Sequence, residues 1–146
     1  GCIQSYRWFN RGILGEPMLW TLHLGYVFTS IGLVVLALGF ISPKLTSLGT
    51  HLIAVGGIGL LTLSMMTRTA LGHTGRTIYP APQYLPYAFW LMIAATVIRV
   101  LATFVSGTAY IHSIRCSAAL FAVSLLLYAW KYIPWLIRPR SDGRPG

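Results

Sequence analysis

The chain has 146 residues, of which 55% are hydrophobic and 9% are charged, and its 11 basic and 2 acidic residues give a net charge of +9. A water-soluble domain carries about 25% charged residues, so this composition excludes an ordinary soluble protein. The basic residues flank apolar runs, which is typical of membrane anchoring and argues against nucleic acid as a partner.

Four apolar segments are long enough to cross a bilayer, which takes about 20 residues. They run over about 18–41, 48–71, 85–105 and 116–136. Ser42-Pro43-Lys44 is predicted to be a turn, the proline-containing stretch 72–86 an extended connector, and the polar stretch 106–115 a loop. The sequence therefore predicts an all-α, polytopic membrane helix bundle of four transmembrane helices in a single domain, with a basic disordered tail over 138–146.

The basic residues are distributed unevenly between the two sides of this predicted bundle. Eight lie on the amino-terminal side: Arg7, Arg11, Arg68, Arg76, Lys131, Arg138, Arg140 and Arg144. Three lie on the opposite side: Lys44, Arg99 and Arg115. Loops rich in lysine and arginine stay in the cytoplasm, so both termini are predicted to be cytoplasmic.

All five tryptophans and several of the eight tyrosines fall on that same side of the predicted bundle. The set comprises Trp8, Trp20, Tyr84, Tyr87, Trp90, Tyr128, Trp130, Tyr132 and Trp135. Amphipathic rings collect at the level of the lipid headgroups, so an interfacial belt is one interpretation. The walls of a cofactor pocket are the alternative.

Histidines are the first candidates for chemistry, because polar side chains inside membranes are costly and usually functional. His23 and His73 belong to the cytoplasmic half, whereas His51 and His112 belong to the other half. His51 and His73 are about 33 Å apart along a helix, so they cannot share one metal. The pairs that remain open are His23 with His73 and His51 with His112, although His112 is predicted to be a plain loop residue.

One face of the second segment carries further candidate ligands. At about 100° per residue, a single stripe contains His51, Val55, Ile58, Thr62, Met65, Thr69 and His73, with Met66 beside it. Imidazole nitrogen and methionine sulfur suit haem iron, and methionine also suits cuprous copper. The candidate metal ligands are therefore His23, His51, His73, Met65 and Met66, with plain packing as the alternative for both methionines.

The same segment contains Gly49, Gly56, Gly57 and Gly59. Small residues let two helices approach closely, and they would equally leave room for a flat cofactor.

The stretch "SMMTRTALGHTGRT", residues 64–77, ends the second segment with an unusual density of polar groups. Arg68, Thr74 and Arg76 are candidates to bind haem propionates or lipid phosphates, because guanidinium groups bind such anions bidentately. Anchoring by positive charge alone is the alternative. Arg99 lies about six residues inside the far end of the third segment. It must either reach the interface or find an acceptor on another helix, because both acids, Glu16 and Asp142, lie outside the apolar segments.

Three motifs resemble the carboxy-terminal part of the NnrS family. They are "LWTLHLGYVF" (residues 19–28), "HLIAVGGIGLLTLSMMTRTALGHTGR" (51–76) and "RPRSDGRPG" (138–146). The second is the specific one, because it combines a histidine, a glycine-rich half-helix, "MMTR" and "LGHTGR" in one order. The resemblance implies a bacterial inner-membrane protein of about twelve spans that contains haem and copper and takes part in nitric-oxide metabolism and nitrosative-stress resistance.

The resemblance carries His23, His51, His73, Arg68 and Arg76 over as candidate site positions, because they lie inside the matching motifs. It assigns none of them to a particular metal. It also implies that the chain, which begins at Gly1 rather than methionine, is about the last third of a longer protein. Further transmembrane helices of that protein, or of other subunits, are then expected partners beside the lipid bilayer.

Three functional hypotheses remain from the sequence. The first is a protein that binds haem, with copper as a second metal, and acts in the response to nitric oxide. The second is a cofactor-free accessory subunit that packs within a larger respiratory or other membrane complex. The third is a carrier of small anions through an arginine-lined bundle. The sequence does not decide whether the protein is an enzyme.

Overall fold

Four long helices form the bundle in the computed structural model, which describes residues 11–141 and 143. We label them α1 (Pro17–Ala37), α2 (Pro43–His73), α3 (Leu85–Leu101) and α4 (Gly107–Leu136). Short 3₁₀ turns lie at Arg11–Gly15, Gly39–Ile41 and Ala102–Phe104. With these turns included, each helix is long and apolar enough to cross a membrane, which confirms the prediction of an all-α chain with four spans.

The second helix begins earlier than the hydropathy of the sequence predicts. Pro43 occupies its first turn, where its fixed backbone angle suits a helix and its missing N–H is not needed. The Ser42 hydroxyl accepts a 3.3 Å hydrogen bond from the Lys44 backbone N–H and caps the helix. The predicted turn is therefore a helix start.

The predicted loop over 106–115 is wrong, because α4 already begins at Gly107. Gly107 turns the chain with a φ of +63°, a conformation that only glycine adopts at low cost. The 30 residues of α4 extend about 45 Å, whereas the hydrocarbon layer is about 30 Å thick. Polar residues at its start therefore continue the helix beyond the apolar layer, where a hydropathy window cannot detect them.

A π-helical stretch, Leu52–Ile58, interrupts α2. Its hydrogen bonds join residues five apart, so each residue turns through a smaller angle than in an α-helix. The two halves of α2 consequently present different faces, and the predicted stripe does not stay on one side. His51 and Val55 are half-buried within the bundle, whereas the rest of the stripe is exposed: Ile58, Thr62, Met65, Thr69 and His73.

Glycines hold α1 and α2 close together. A Cβ atom at Gly49 would lie 2.6 Å from the backbone nitrogen of Leu36, and one at Gly32 would lie 2.7 Å from Cγ1 of Ile53. The space beside these glycines is filled by the neighbouring helix. Close packing, rather than room for a flat cofactor, is therefore the role confirmed for Gly49.

Serine hydroxyls join the helices in pairs and fix their levels. Ser64 donates to the Met18 carbonyl oxygen, Ser117 to that of Ala95 and Ser124 to that of Ala88, each at 2.8 Å.

We call the end of the bundle where α1 begins the near end, and the end where α4 begins the far end. The buried core includes Leu60, Leu63, Phe89, Met92 and Tyr132.

The predicted tail is partly ordered against the near end. Ser141 donates from its backbone N–H and its hydroxyl to the Thr74 carbonyl oxygen, at 3.1 and 3.0 Å. The prediction of disorder therefore does not hold at Ser141. Arg7, Trp8, Asp142 and Arg144, which entered the predictions of orientation, aromatic belt and tail, lie outside the described residues.

Candidate functional site

His23 lies on α1 between two outward-facing grooves in the near half of the bundle. One groove, of about 400 Å³, is lined by Trp20, Leu24 and Trp90 as well as His23. Trp20 and Trp90 contact each other there, with ring centroids 5.5 Å apart. An apolar groove with one imidazole and aromatic walls is typical of a site for an apolar or aromatic ligand.

The second groove beside His23 leads to the methionines of α2. It has a volume of about 300 Å³ and includes Tyr26 and Leu61 in its lining. Leu61 also lines a neighbouring groove of about 380 Å³ with Met65 and Met66. The structure therefore places His23 and the two methionines on adjoining surfaces that meet at Leu61.

His23 and His73 do not come together, although both belong to the near half. The Ser64–Met18 hydrogen bond sets the relative level of the antiparallel α1 and α2. From that level His23 lies five residues towards the far end and His73 nine residues the other way, a separation of about 20 Å along the helix axes. The predicted pairing of these two histidines is therefore not formed within the chain.

His51 instead pairs with Arg99 of α3. Its Nδ1 lies 2.6 Å from the Ser47 carbonyl oxygen, and its Nε2 lies 2.7 Å from Nη2 of Arg99. A carbonyl oxygen can only accept, so Nδ1 carries the proton and Nε2 accepts from the guanidinium. Both ring nitrogens are thus engaged, and Nε2 has no lone pair left for a metal in this arrangement.

His112 does not join His51. The Ser117–Ala95 hydrogen bond puts Ser113 level with Arg99, so His112 lies at nearly the same height in the membrane. Its side chain is exposed, and it belongs to α4 rather than to the loop predicted for it. The structure gives it no role in a shared site.

The arginines of the stretch 64–77 separate from each other. Arg68 is exposed on α2, one turn beyond Met65 towards the near end. Arg76 follows the helix and places its guanidinium carbon 4.4 Å from the ring centre of Trp135. Thr74 is buried, and its hydroxyl donates to the Ala70 carbonyl oxygen at 2.7 Å. These three residues therefore do not form the joint anion site that the sequence predicts.

Arg76 belongs to an aromatic cluster at the near end. Tyr132 is fully buried there, stacked on Tyr128 with ring centroids 4.6 Å apart and in edge contact with Tyr84. Burial raises the pKa of Tyr84 above its ordinary value, and the nearby charge of Arg76 acts in the opposite direction. Arg76 Nη1 and the hydroxyls of Tyr84 and Tyr132 are buried without a hydrogen-bond partner among the described residues.

The aromatic side chains of the near end thus divide into two groups. Tyr87, Trp90 and Trp130 are 69%, 60% and 67% exposed, as expected of an interfacial belt. Tyr84, Tyr128, Tyr132 and Trp135 pack inward around one another. The exposed group fits an interfacial belt, whereas the inward group forms an aromatic cluster, and the alternative of a cofactor pocket stays a prediction.

A family model described as NnrS protein matches residues 2–140 of the chain. The chain belongs to the NnrS family. Neither the curated proteins nor the solved structures contain a match to it. The resemblance carried by the three motifs is thereby confirmed over nearly the whole chain.

Within this NnrS chain, the motif residues are distributed over three separate places. His23 lies beside the grooves of the near half, His51 lies in the far half, and His73 is exposed beyond the end of the grooves. Among residues 11–141, no three His, Cys, Asp or Glu side chains are grouped closely enough to hold a metal ion. A metal site built on the described residues therefore has to combine one of these histidines with other kinds of donor, or with donors from outside those residues.

Two features of the NnrS chain were not predicted from its sequence. One is the His51–Arg99 hydrogen bond, although His51 was the polar residue available in the same half of the bundle. The other is the adjoining of the grooves beside His23 and Met65, because these residues belong to different helices. The His51–Arg99 hydrogen bond could have been predicted from the similar depth of these two residues in the membrane. The adjoining of the two grooves depends on how α1 and α2 pack against each other.

Proposed function

We propose that this NnrS-family chain is a haem-binding protein of the bacterial inner membrane that acts in the response to nitric oxide. The observation that carries the proposal is the junction at Leu61, where the groove beside His23 adjoins the groove beside Met65. Histidine and methionine are both axial ligands of haem iron. Family membership supports the link with nitric oxide.

The residues around this junction fit a haem group in their chemistry. The groove of about 300 Å³ beside His23 and the adjoining groove of about 380 Å³ each lie within the range of about 300–1,000 Å³ typical of ligand sites. Leucine and isoleucine side chains make up most of the lining of the first groove, together with His23 and Tyr26. When bound, haem would supply an iron centre able to take a small gas molecule such as nitric oxide.

Each neighbouring side chain would have its own task in such a site. His23 would ligate the iron through a ring nitrogen, and the sulfur of Met65 on the adjoining surface would be a weaker second ligand that nitric oxide could displace. Arg68, one helical turn nearer the membrane edge, would bind a propionate carboxylate. Leu61 and the other apolar residues of the two grooves would exclude water from the macrocycle.

Copper, the second expected metal, would bind at the sulfur of Met66, because Met65 is assigned to the haem. Met65 and Met66 are 48% and 39% exposed, and their thioether sulfurs suit cuprous copper. The face they share with Thr62 and Thr69 points away from the bundle. Further donors would come from transmembrane helices outside this chain, which are its proposed partners.

The visible absorption spectrum of the purified chain tests the haem proposal. The chain is expressed with haem supplied, and its spectrum is recorded in detergent before and after reduction with dithionite. We expect a Soret band in proportion to protein that shifts on reduction. His23→Ala should remove at least nine tenths of it, while His112→Ala, an exposed histidine outside the motifs, should leave it unchanged.

Two further variants separate the ligand of the iron from other residues of the same motifs. His73→Ala should retain the Soret band, because His73 lies about 20 Å along the helix axes from His23. Arg68→Gln should lower haem occupancy without removing the band. A full band in the His23→Ala variant would contradict the assignment. The absence of a band from the unmodified chain would instead favour a cofactor-free accessory subunit.

A further inference from the structure

The guanidinium of Arg99 has no acidic partner within the described part of the chain. Glu16 is the only acidic residue in the range 11–141, and it precedes α1 at the near end, whereas Arg99 lies at the far end of α3. His51 accepts one hydrogen bond from Nη2 but supplies no negative charge. Because a guanidinium has five N–H donors, most of them are left for another acceptor.

Arg99 lines a groove that is otherwise almost entirely apolar. The groove has a volume of about 250 Å³ and is walled by Val55, Ile114, Ser117, Ala118 and Phe121. The Ser117 hydroxyl is directed to the Ala95 carbonyl oxygen, so Arg99 is the one charged group of this lining. Positions 114, 117, 118 and 121 have the spacing of one helix face.

The groove runs inward from the edge of the membrane. If α4, about 45 Å long, is centred on a hydrocarbon layer of about 30 Å, it extends about 7 Å beyond that layer at each end. Ser113, which is level with Arg99, then lies at the far boundary of the layer. Ile114 to Phe121 descend about 10 Å from that boundary towards the midplane.

We infer that this groove binds a phospholipid of the far leaflet, with its phosphate on Arg99 and an acyl chain along Val55, Ile114, Ala118 and Phe121. The charge of Arg99 complements the phosphate, which a guanidinium binds through two parallel hydrogen bonds. Its position matches the depth of a headgroup, and the apolar walls match the depth of a chain. His51 orients Arg99 by accepting from Nη2, so that the other donors face the groove.

Native mass spectrometry of the chain, purified in detergent with added phosphatidylglycerol, tests the inference. We expect one retained lipid per chain, with binding at least ten times weaker in Arg99→Gln. Arg115→Gln is the matched control, because Arg115 is an exposed cation of the same region that does not line the groove. Its lipid binding should equal that of the unmodified chain.

A second variant separates lipid binding from the binding of a free phosphate. Ala118→Trp fills the apolar part of the groove without touching the charge, so it should also weaken lipid binding at least tenfold. Glycerol 3-phosphate, the headgroup chemistry without acyl chains, should not displace the lipid at millimolar concentration. Displacement by glycerol 3-phosphate, together with undiminished binding in Ala118→Trp, would identify a simple anion site and overturn the inference.

The remaining outcomes also decide the matter. Equal losses in Arg99→Gln and Arg115→Gln would mean a general attraction of anionic lipid, and the absence of a retained lipid from the unmodified chain would leave no site. If Arg99→Gln fails to fold, as judged by its helical circular dichroism, Ala118→Trp and the competition experiment on the unmodified chain decide it. Because this groove shares no lining residue with the grooves beside His23 and Met65, this result does not depend on the haem spectrum.

Discussion

The proton on Nδ1 of His51 determines that Nε2 accepts a hydrogen bond from Arg99. Because Nδ1 donates to the Ser47 carbonyl oxygen, Nε2 is held as the acceptor for Arg99. The same residue type at position 23 lies beside open grooves instead. Two histidines that the sequence presents as equivalent candidates are thus a structural acceptor in one case and a candidate ligand in the other.

Replacing His51 with alanine is expected to lower the free energy of unfolding by about 1–3 kcal/mol, since it leaves donors of a partly buried guanidinium without an acceptor. His112→Ala, at an exposed position of similar depth, should change stability by no more than about 0.5 kcal/mol. Thermal unfolding in one detergent, followed by circular dichroism, compares the two. Equal stability of both variants would show that the His51–Arg99 contact contributes nothing.

Arg76 and Arg68 should also differ in their effect on stability. Arg76 stacks on Trp135, and such cation–π contacts contribute about 0.5–2 kcal/mol, so Arg76→Ala should destabilise the bundle by that amount. Arg76→Lys should recover only part, because lysine lacks the planar group that stacks. Arg68→Ala, at an exposed site, is the control and should stay within about 0.5 kcal/mol in the same unfolding assay.

At the scale of elements, the close contact between α1 and α2 depends on glycines, which have no side chain to hold the two backbones apart. At Gly49 an added methyl group would meet the backbone of Leu36, which cannot move aside without shifting α1. The carbonyl oxygen of Gly32 lies 2.9 Å from the same position. The two helices therefore meet backbone to backbone over this stretch.

Gly49→Ala is expected to destabilise the bundle by about 1–3 kcal/mol, the usual cost of overpacking. Gly72→Ala is the matched control on the same helix, because nothing lies within 4 Å of its added methyl group. Alanine there should be neutral or stabilising by up to about 1 kcal/mol, since glycine weakens a helix. Destabilisation of equal size in both variants would contradict the close contact at Gly49.

The π-helical stretch explains where the interpretation of α2 from its sequence fails. The composition of α2 was sufficient to predict a span, but the predicted stripe assumed about 100° per residue throughout. Residues 52–58 form a π-helix with more residues in each turn, and no simple pattern of residue types predicts this. His51 and Val55 are consequently half-buried within the bundle, whereas Met65, His73 and the rest of the predicted stripe are exposed.

At the scale of the whole molecule, the four spans and the family could be predicted from the sequence, and the assembly of the site could not. Hydropathy and motif order depend on residues near in the chain, so they are readable without coordinates. The junction of His23 and Met65 at Leu61 depends on the levels of two antiparallel helices, which the Ser64–Met18 bond and the glycines set. The start of α4 was not predicted, because its first turns lie outside the apolar layer.

The orientation of the bundle is a prediction that labelling can test. Single cysteines at Ser106 and Thr77, both exposed and at opposite ends, would be introduced after Cys2 and Cys116 are replaced by alanine. In intact bacterial cells, a maleimide that cannot cross the membrane should label Ser106→Cys and not Thr77→Cys until the cells are opened. The opposite pattern would place both termini outside the cytoplasm, against the distribution of basic residues.

The serine hydroxyls have a consequence for how the protein is made. Ser64 joins α2 to α1 by a hydrogen bond, and Ser117 and Ser124 join α4 to α3 in the same way. Each bond therefore connects helices that are consecutive in the chain. In lipid these hydroxyls face no competition from water, and a carbonyl of the preceding helix is already at hand. Each of these two helix pairs can therefore form its hydrogen bonds as soon as its second helix has entered the membrane. The bundle can then be inserted as two helix pairs that are already associated.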